Sequence, residues 1–297
     1  MVSPGILLVD KPGGLTSHDV VARTRRALGT RKVGHAGTLD PMATGLLVLG
    51  IEGATRLLTY IVGADKTYLA TIRLGQASTT DDAEGEITVR ASAEDVDAVT
   101  PVRLADGIAA LTGPISQVPS SVSAIKVDGR RAYDRVRAGE EVELKARAVT
   151  VSRFEVLAER RGDGLLDLDV VVDCSSGTYI RALARDLGEA LGVGGHLTAL
   201  RRTRVGPFDV ADAADIESLE GASTLTAAEA AARVLDRLDV SAQEARDLRH
   251  GKRLVDHAER LRGRQAAAID EDGVLVGVVE RRGRDLKSAM NMPEETR

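Results

Sequence analysis

Asp40 stands in the segment Val33-Gly34-His35-Ala36-Gly37-Thr38-Leu39-Asp40-Pro41-Met42-Ala43-Thr44-Gly45. A carboxylate followed by proline is first of all a helix start, in which Asp caps free N–H groups and Pro41 takes the first helical position. The neighbours point elsewhere. Gly34, Gly37 and Gly45 flank the carboxylate, together with His35, Thr38 and Thr44. A loop of this kind lets another backbone come close and leaves N–H groups free. It suits a carboxylate held facing a cleft, where it acts as a nucleophile or base.

Arg181 is the second candidate. It falls in the first turn of a helix expected from about Thr178 to Leu191, where a cation opposes the helix dipole at a cost of about 0.3–1 kcal/mol. Local stability does not explain it. A surface pair with Asp186 or Glu189 is one reading; a carboxylate brought from elsewhere, Asp40 above all, is the other. Such a partner would hold Asp40 ionised, with a low pKa, and aim it. Tyr68 and Tyr179 come third. Aromatics make up only 2% of the chain and Trp is absent. Each ring is either packed in the core with a bonded hydroxyl or a stacking platform for a flipped base.

Other chemistries find no footing. His18, His35, His196, His250 and His257 lack metal-ligand spacing. Lys11-Pro12-Gly13-Gly14 is no phosphate loop, because no Gly-Lys-Ser/Thr follows it. Gly192–Gly195 follows a helix and not a strand, which removes the dinucleotide reading. Ser120, Ser121, Ser175 and Ser176 have no histidine at a recognisable spacing and read as turn formers. One cysteine, Cys174, excludes an intramolecular disulfide and any cysteine metal cluster.

The elements that must position these residues follow from periodicity. Ile6–Asp10 reads as a short strand. A helix starts near Ser17, with Thr16 and Asp19 at capping-box spacing, and ends at Gly29. After the Val33–Gly45 loop come strands at Leu46–Leu49 and Tyr68–Leu74. Asp81–Glu86 reads as an exposed acidic turn and Ala91–Leu111 as helix. Pro114–Gly139 is irregular. Leu165–Asp173 alternates, with Leu166, Leu168, Val170 and Val172 inward. Ala211–Arg237 reads as largely helical. A new unit begins after about Leu238, and an Asp272-Gly273 turn joins two strands, Ala266–Asp270 and Val274–Glu280. Asn291–Arg297 reads as frayed.

With 297 residues, 43% hydrophobic and 29% charged, the chain can bury a sizeable core. No apolar run approaches the roughly 18–20 residues of a membrane span. The start of the chain reads as a strand and not as a signal peptide. Together with the single cysteine, this suggests the cytoplasm. Net charge is −5 with a pI near 5.7, which alone argues against a nucleic acid. Basic residues nevertheless cluster at Arg23–Lys32, Arg130–Arg137, Arg181–Arg185 and Arg201–Arg204, and a polyanion responds to local patches.

Three stretches carry a resemblance: Asp10-Lys11-Pro12-Gly13-Gly14-Leu15-Thr16-Ser17; Gly34 to Gly45; and Cys174-Ser175-Ser176-Gly177-Thr178-Tyr179-Ile180-Arg181, continuing to Gly194-Gly195-His196-Leu197 and Leu200-Arg201-Arg202. Lys66-Thr67-Tyr68 and Gln117-Val118-Pro119-Ser120 lie between them in order. From Gly5 to about Phe208 the chain resembles the TruB family, the bacterial tRNA pseudouridine-55 synthases. The resemblance implies a mixed α/β fold, with a pseudouridine-synthase catalytic domain around a central, largely antiparallel sheet. It implies a catalytic domain over 1–238 with an RNA-gripping insertion at about 120–148, and a small RNA-binding PUA-like β module over 239–297.

The resemblance also implies roles. Asp40 falls on the catalytic aspartate, Tyr68 on the tyrosine that stacks on the target base, and Arg181 on the aspartate's partner. Tyr179 and Leu200 fall on pocket-lining residues. His35 falls on a histidine that helps hold the RNA loop in its flipped-out state. Lys11 and Pro12 support the active-site loop, and Lys126 lies in the insertion; both lysines count among the substrate-binding residues. The implied partner is tRNA through its T-arm, with no cofactor, no metal, no membrane and no protein partner. A monomer is expected. Three other readings compete. A non-catalytic RNA chaperone would gain nothing from a carboxylate facing phosphates. A glycosidase would need a second carboxylate, such as Asp173 or Asp186. A guide-RNA-dependent synthase usually carries basic tails that this chain lacks.

Overall fold

The computed structural model describes residues 2–120 and 144–293, and within the intervening segment the backbone of a strand pair, Lys126–Val127 with Arg130–Arg131. The expected insertion therefore falls largely outside the described residues, as do the side chain of Lys126 and residues 294–297.

A central sheet positions everything else. Its strands are β1 (Gly5–Lys11), β2 (Val33–Ala36), β3 (Thr44–Ile51), β4 (Lys66–Leu74), β5 (Gly113–Gln117), β6 (Arg147–Gly162), β7 (Leu165–Cys174) and β8 (Gly195–Val205). The main path runs β1-β3-β8-β4-β7-β6-β5, and β2 joins the end of β3. All of these pairs are antiparallel except β3 with β8, which run parallel at Thr44↔Arg201 and Gly45↔Arg202. The sheet is mixed and largely antiparallel, as expected.

Alternation sorts the faces. On β4, Lys66, Tyr68, Ala70, Ile72 and Leu74 are all buried. Helix α2 (Ile180–Leu191) packs Leu183, Ala184, Leu187 and Leu191 into the same core cluster. The helix ends at Gly192 in the left-handed region. A Cβ on Gly188 would stand 2.1 Å from the Gly195 nitrogen, so the helix backbone lies directly on the start of β8. Gly188 and Gly195 thus serve close packing.

The opposite face carries matched polar pairs. Thr71 donates to Asp169 at 2.8 Å, and Arg73 grips Asp167 at 2.7 Å. Arg160 pairs with Asp169, Arg204 with Asp173 at 3.7 Å, and Arg201 with Asp10 at 2.6 Å.

Helix α1 (Ser17–Ala27) opens with the Thr16/Asp19 capping box in place. Several expectations are corrected. Val33–Ala36 is a strand, because it pairs with the end of β3. Ala91–Leu111 is two helices, Ala93–Asp97 and Pro101–Ala110, since Thr100 caps a new start and Pro101 occupies its first turn. Gly113–Gln117, within the irregular stretch, is β5. In Ala211–Arg237 only Ala227–Val234 is α-helix; Ala214–Asp215 and Leu225–Thr226 pair with β1 instead.

At the C-terminal end, Asp236–Asp239 lies parallel to Gln265–Ile269, followed antiparallel by Leu275–Arg282 and Asp285–Asn291. Gly273 turns the middle hairpin at φ 78°. This sheet has its own apolar cluster around Leu238, Leu248, Val276 and Leu286. It also shares one. A continuous apolar cluster includes Ile6, Leu8, Leu46 and Val48, then Ala228, Ala230 and Ala231, then Ala267, Ile269 and Leu275. Arg56 donates to the Asn291 carbonyl at 2.5 Å across the same seam. Among the described residues, no helix is long and apolar enough to cross a membrane.

Candidate active site

Where the loop between β2 and β3 meets β4, β8 and the start of α2, a cavity of about 280 Å³ opens, lined by Gly37, Thr38, Leu39, Asp40, Val62, Lys66, Tyr68, Ser176 to Arg181, Leu200 and Arg202. That volume is close to the lower end of the ~300–1,000 Å³ typical of drug-sized ligands, so it suits one nucleobase more than an oligomer.

Asp40 is not a helix cap. Residues after it bend and enter β3, and its carbonyl accepts from the Ala43 N–H at 3.1 Å. The loop is pinned on either side of it. Ser17, at the start of α1, exchanges hydrogen bonds with the Leu39 backbone, accepting at 2.9 Å and donating at 3.1 Å. Lys11 is fully buried and its Nζ donates to the carbonyls of Leu15, Pro12 and Pro41 at 2.7, 2.9 and 3.2 Å. All three ammonium protons are thereby engaged, and Lys11 holds the loop. Burial lowers its pKa to about 8.

Arg181, only 4% exposed, reaches both Asp40, Nε to Oδ2 at 3.1 Å, and Asp82, Nη1 to Oδ2 at 3.1 Å. Its Nη1 also donates to the Thr80 carbonyl at 3.0 Å. The distant carboxylate is therefore the partner, and Asp186 pairs with Arg185 instead. Asp82 was not expected. The Asp81–Glu86 turn is not simply exposed: Asp82 is 2% exposed, accepts from the Thr80 hydroxyl and the Glu84 N–H, and sits behind Arg181. Two carboxylates share one guanidinium. Asp40 keeps 36% of its side chain open to the cavity, yet its other sides are protein. Burial raises its pKa above the usual Asp value, and the charge of Asp82 adds to this; Arg181, Lys11 and Arg202 oppose it. The low Asp40 pKa expected from Arg181 is thus corrected, because desolvation outweighs the ion pair.

Tyr68 is 7% exposed at the cavity wall and burial raises its pKa. Leu200, 8% exposed, lies on the neighbouring strand. Tyr179 is half-buried, and its backbone is clamped by Gln117, which accepts from its N–H at 2.8 Å and donates to its carbonyl at 3.0 Å. Gln117 belonged to a recognised motif, but only the fold shows its grip on Tyr179. Lys66, 6% exposed, also lines the cavity, donating to Ala64 and Val62 carbonyls at 2.7 and 3.0 Å, with its pKa lowered to about 8 by burial. His35 is not among the lining residues. It lies on β2 with its ring edge-on to His18 at 5.6 Å. Among the described residues, no three His, Cys, Asp or Glu side chains gather as a metal site.

A carboxylate paired with a buried arginine thus opens into a small cavity walled by a tyrosine. Residues 25–180 match the TruB family pseudouridylate synthase N-terminal domain, 181–241 the tRNA pseudouridylate synthase B C-terminal domain, and 235–293 the tRNA pseudouridine synthase II C-terminal domain. The chain belongs to the TruB family of pseudouridylate synthases. It is 62% identical to tRNA pseudouridine synthase B of Leifsonia xyli subsp. xyli (strain CTCB07), over 99% of this chain and 98% of that one. It is 57% identical to tRNA pseudouridine synthase B of Arthrobacter sp. (strain FB24), over 93% and 92%. A chain of a solved Cbf5-Nop10-Gar1 complex superposes with a TM-score of 0.71 at 25% identity, covering 98% of this chain and 84% of that one.

Proposed function

We propose that the protein is a tRNA pseudouridine synthase that converts uridine 55 in the T-loop of tRNA to pseudouridine, with Asp40 as the reacting carboxylate. The observation that carries this is the Asp40–Arg181 pair at the mouth of a base-sized cavity walled by Tyr68, in a chain 62% identical to a tRNA pseudouridine synthase B.

The reaction breaks the N1–C1′ bond, turns the uracil and joins C5 to C1′. The C5 proton leaves and N1 gains one, so atoms and charge balance. No electron acceptor and no outside group enters, and no cofactor is required. The site has to draw the uridine out of its stack, at a cost of a few kcal/mol. Tyr68 then stacks on the uracil and confines it, with Leu200 and Tyr179 closing the sides. Asp40 acts ionised, as a nucleophile or as the base that starts glycosidic cleavage. Arg181 aims it, and Asp82 fixes Arg181 from behind. His35, outside the cavity, contacts the RNA loop. The basic run Arg23–Lys32 and an RNA-gripping segment at 120–148, including Lys126, hold phosphates, and binding weakens with salt; the arginines at 181–185 and 201–204 are instead taken up by carboxylates and carbonyls of the fold. Residues 1–238 form the catalytic domain and 239–297 a PUA-like RNA-binding module. The protein works in the cytoplasm as a monomer, without a protein partner.

The experiment is to incubate an unmodified tRNA transcript with wild type and with Asp40→Asn, map pseudouridine by position and measure tRNA binding in parallel. Product at position 55 from wild type alone, with equal binding, is expected. Binding by both without product would remove the enzymatic reading. Product elsewhere would remove the position.

A further inference from the structure

Arg202 is the largest fully buried side chain among the described residues, at 1% exposure. It lies on β8 between the two strands that carry the site, paired with Gly45 of β3 on one side and Tyr68 of β4 on the other. Its side chain spends its donors on the Asp40 loop. Nε donates to the Leu46 carbonyl at 2.8 Å, Nη2 to Gly37 at 3.1 Å and Nη1 to Thr38 at 3.5 Å. Its own backbone is registered opposite Tyr68 on β4, and its charge acts on the Tyr68 hydroxyl. Both ends of the loop rest on this one residue. Gly37, at φ 84°, would bring a Cβ to 3.5 Å from Nη1, and Gly45, at φ 98°, would bring one to 2.2 Å from the Arg202 carbonyl oxygen. No ion pair among the described residues includes Arg202.

We infer that Arg202 is the positioning residue that sets the distance between Asp40 and Tyr68, by gripping both ends of the aspartate loop with its guanidinium while its backbone sits opposite Tyr68 in the sheet. A buried cation without a carboxylate is costly. A neutral donor would satisfy one carbonyl at lower cost, and a lysine has no planar fork. Only the guanidinium presents donors in fixed directions to three carbonyls at once. Its charge has a second effect: it opposes the burial that raises the pKa of Asp40. The other charged groups that act on Asp40 are Arg181, Lys11, Asp82 and Glu84. This inference rests on Asp40 being the reacting carboxylate.

The test measures single-turnover rates on an unmodified tRNA transcript across pH, with tRNA Kd and Tm, for wild type, Arg202→Lys and Arg202→Gln. Product from wild type is the control: its absence would refute the proposed activity, before any variant is compared. With wild type active, Arg202→Lys keeps the charge but loses the fork. Its rate should fall about 10- to 100-fold, as expected for a misplacement near 1 Å, with Kd within about twofold and the acid limb of the pH profile unmoved. Arg202→Gln should fall at least as far, with its acid limb displaced to higher pH, because Asp40 has lost an opposing cation. If Arg202→Gln does not fold, the rate and pH profile of Arg202→Lys decide alone. Wild-type rates in the folded variants overturn the inference. So does a rate loss that only tracks the loss of folded protein, with the acid limb of Arg202→Gln unmoved.

Discussion

The two faces of the central sheet are built from the same residue types and behave differently. On the open face, each arginine meets a carboxylate within reach of water: Arg73 with Asp167, Arg201 with Asp10, Arg204 with Asp173. On the buried face, Arg181 serves Asp40 and Asp82 together, and Arg202 and Lys11 serve only backbone carbonyls. Pairs on the open face are screened and nearly neutral in stability. Groups on the buried face are desolvated, so their charges act on one another strongly and no arrangement satisfies all of them. Asp40, still paired with Arg181, is the carboxylate with a side chain substantially open to the cavity. Reactivity is located where a desolvated charge keeps one open side.

Substitutions can break or sharpen this contrast. Asp40→Asn keeps the shape and removes the reacting charge; turnover should fall by more than about 10⁴-fold, with tRNA binding retained, read in a single-turnover assay. Arg181→Lys keeps a cation but cannot reach both carboxylates with one planar group. About 10²- to 10³-fold loss is expected in the chemical step, with Kd unchanged. Asp82→Asn should cost about tenfold. Asp82 raises the pKa of Asp40, so its removal should move the acid limb of the rate profile to lower pH. A shift to higher pH would show that Asp82 acts mainly by holding Arg181. The smallest effect belongs to the open face. Asp167→Asn should leave the rate at wild-type level and lower stability by no more than about 1 kcal/mol in a denaturant titration. A large loss of activity there would end the distinction between the faces.

How far the sequence discloses this differs by element. Strand β7 is legible because alternation over Leu166, Leu168, Val170 and Val172 is a local signal, and all four are buried. Helix α1 is legible because its capping box lies within four residues and forms as read. Arg181 stood out by being misplaced against the helix dipole, and its carboxylate partner across the chain is present. Asp82 was not legible. Nothing local distinguishes it from Asp81 or Glu86, and its burial is set by an arginine 99 positions away. The Ala-rich stretch after Phe208 misled for a related reason: its helix propensity loses to pairing with β1. The raised pKa of Asp40 was also out of reach, since sequence shows the neighbouring charge but not the lost water.

The apolar seam that joins Ile6 and Leu8 to Ala267, Ile269 and Leu275 couples segments that lie far apart along the chain. During synthesis β1 emerges long before Ala267, Ile269 and Leu275, which supply part of the layer that covers its cluster. Until those emerge, a greasy surface stays open to solvent and to other nascent chains. A chain cut short before residue 265 therefore leaves that apolar surface uncovered.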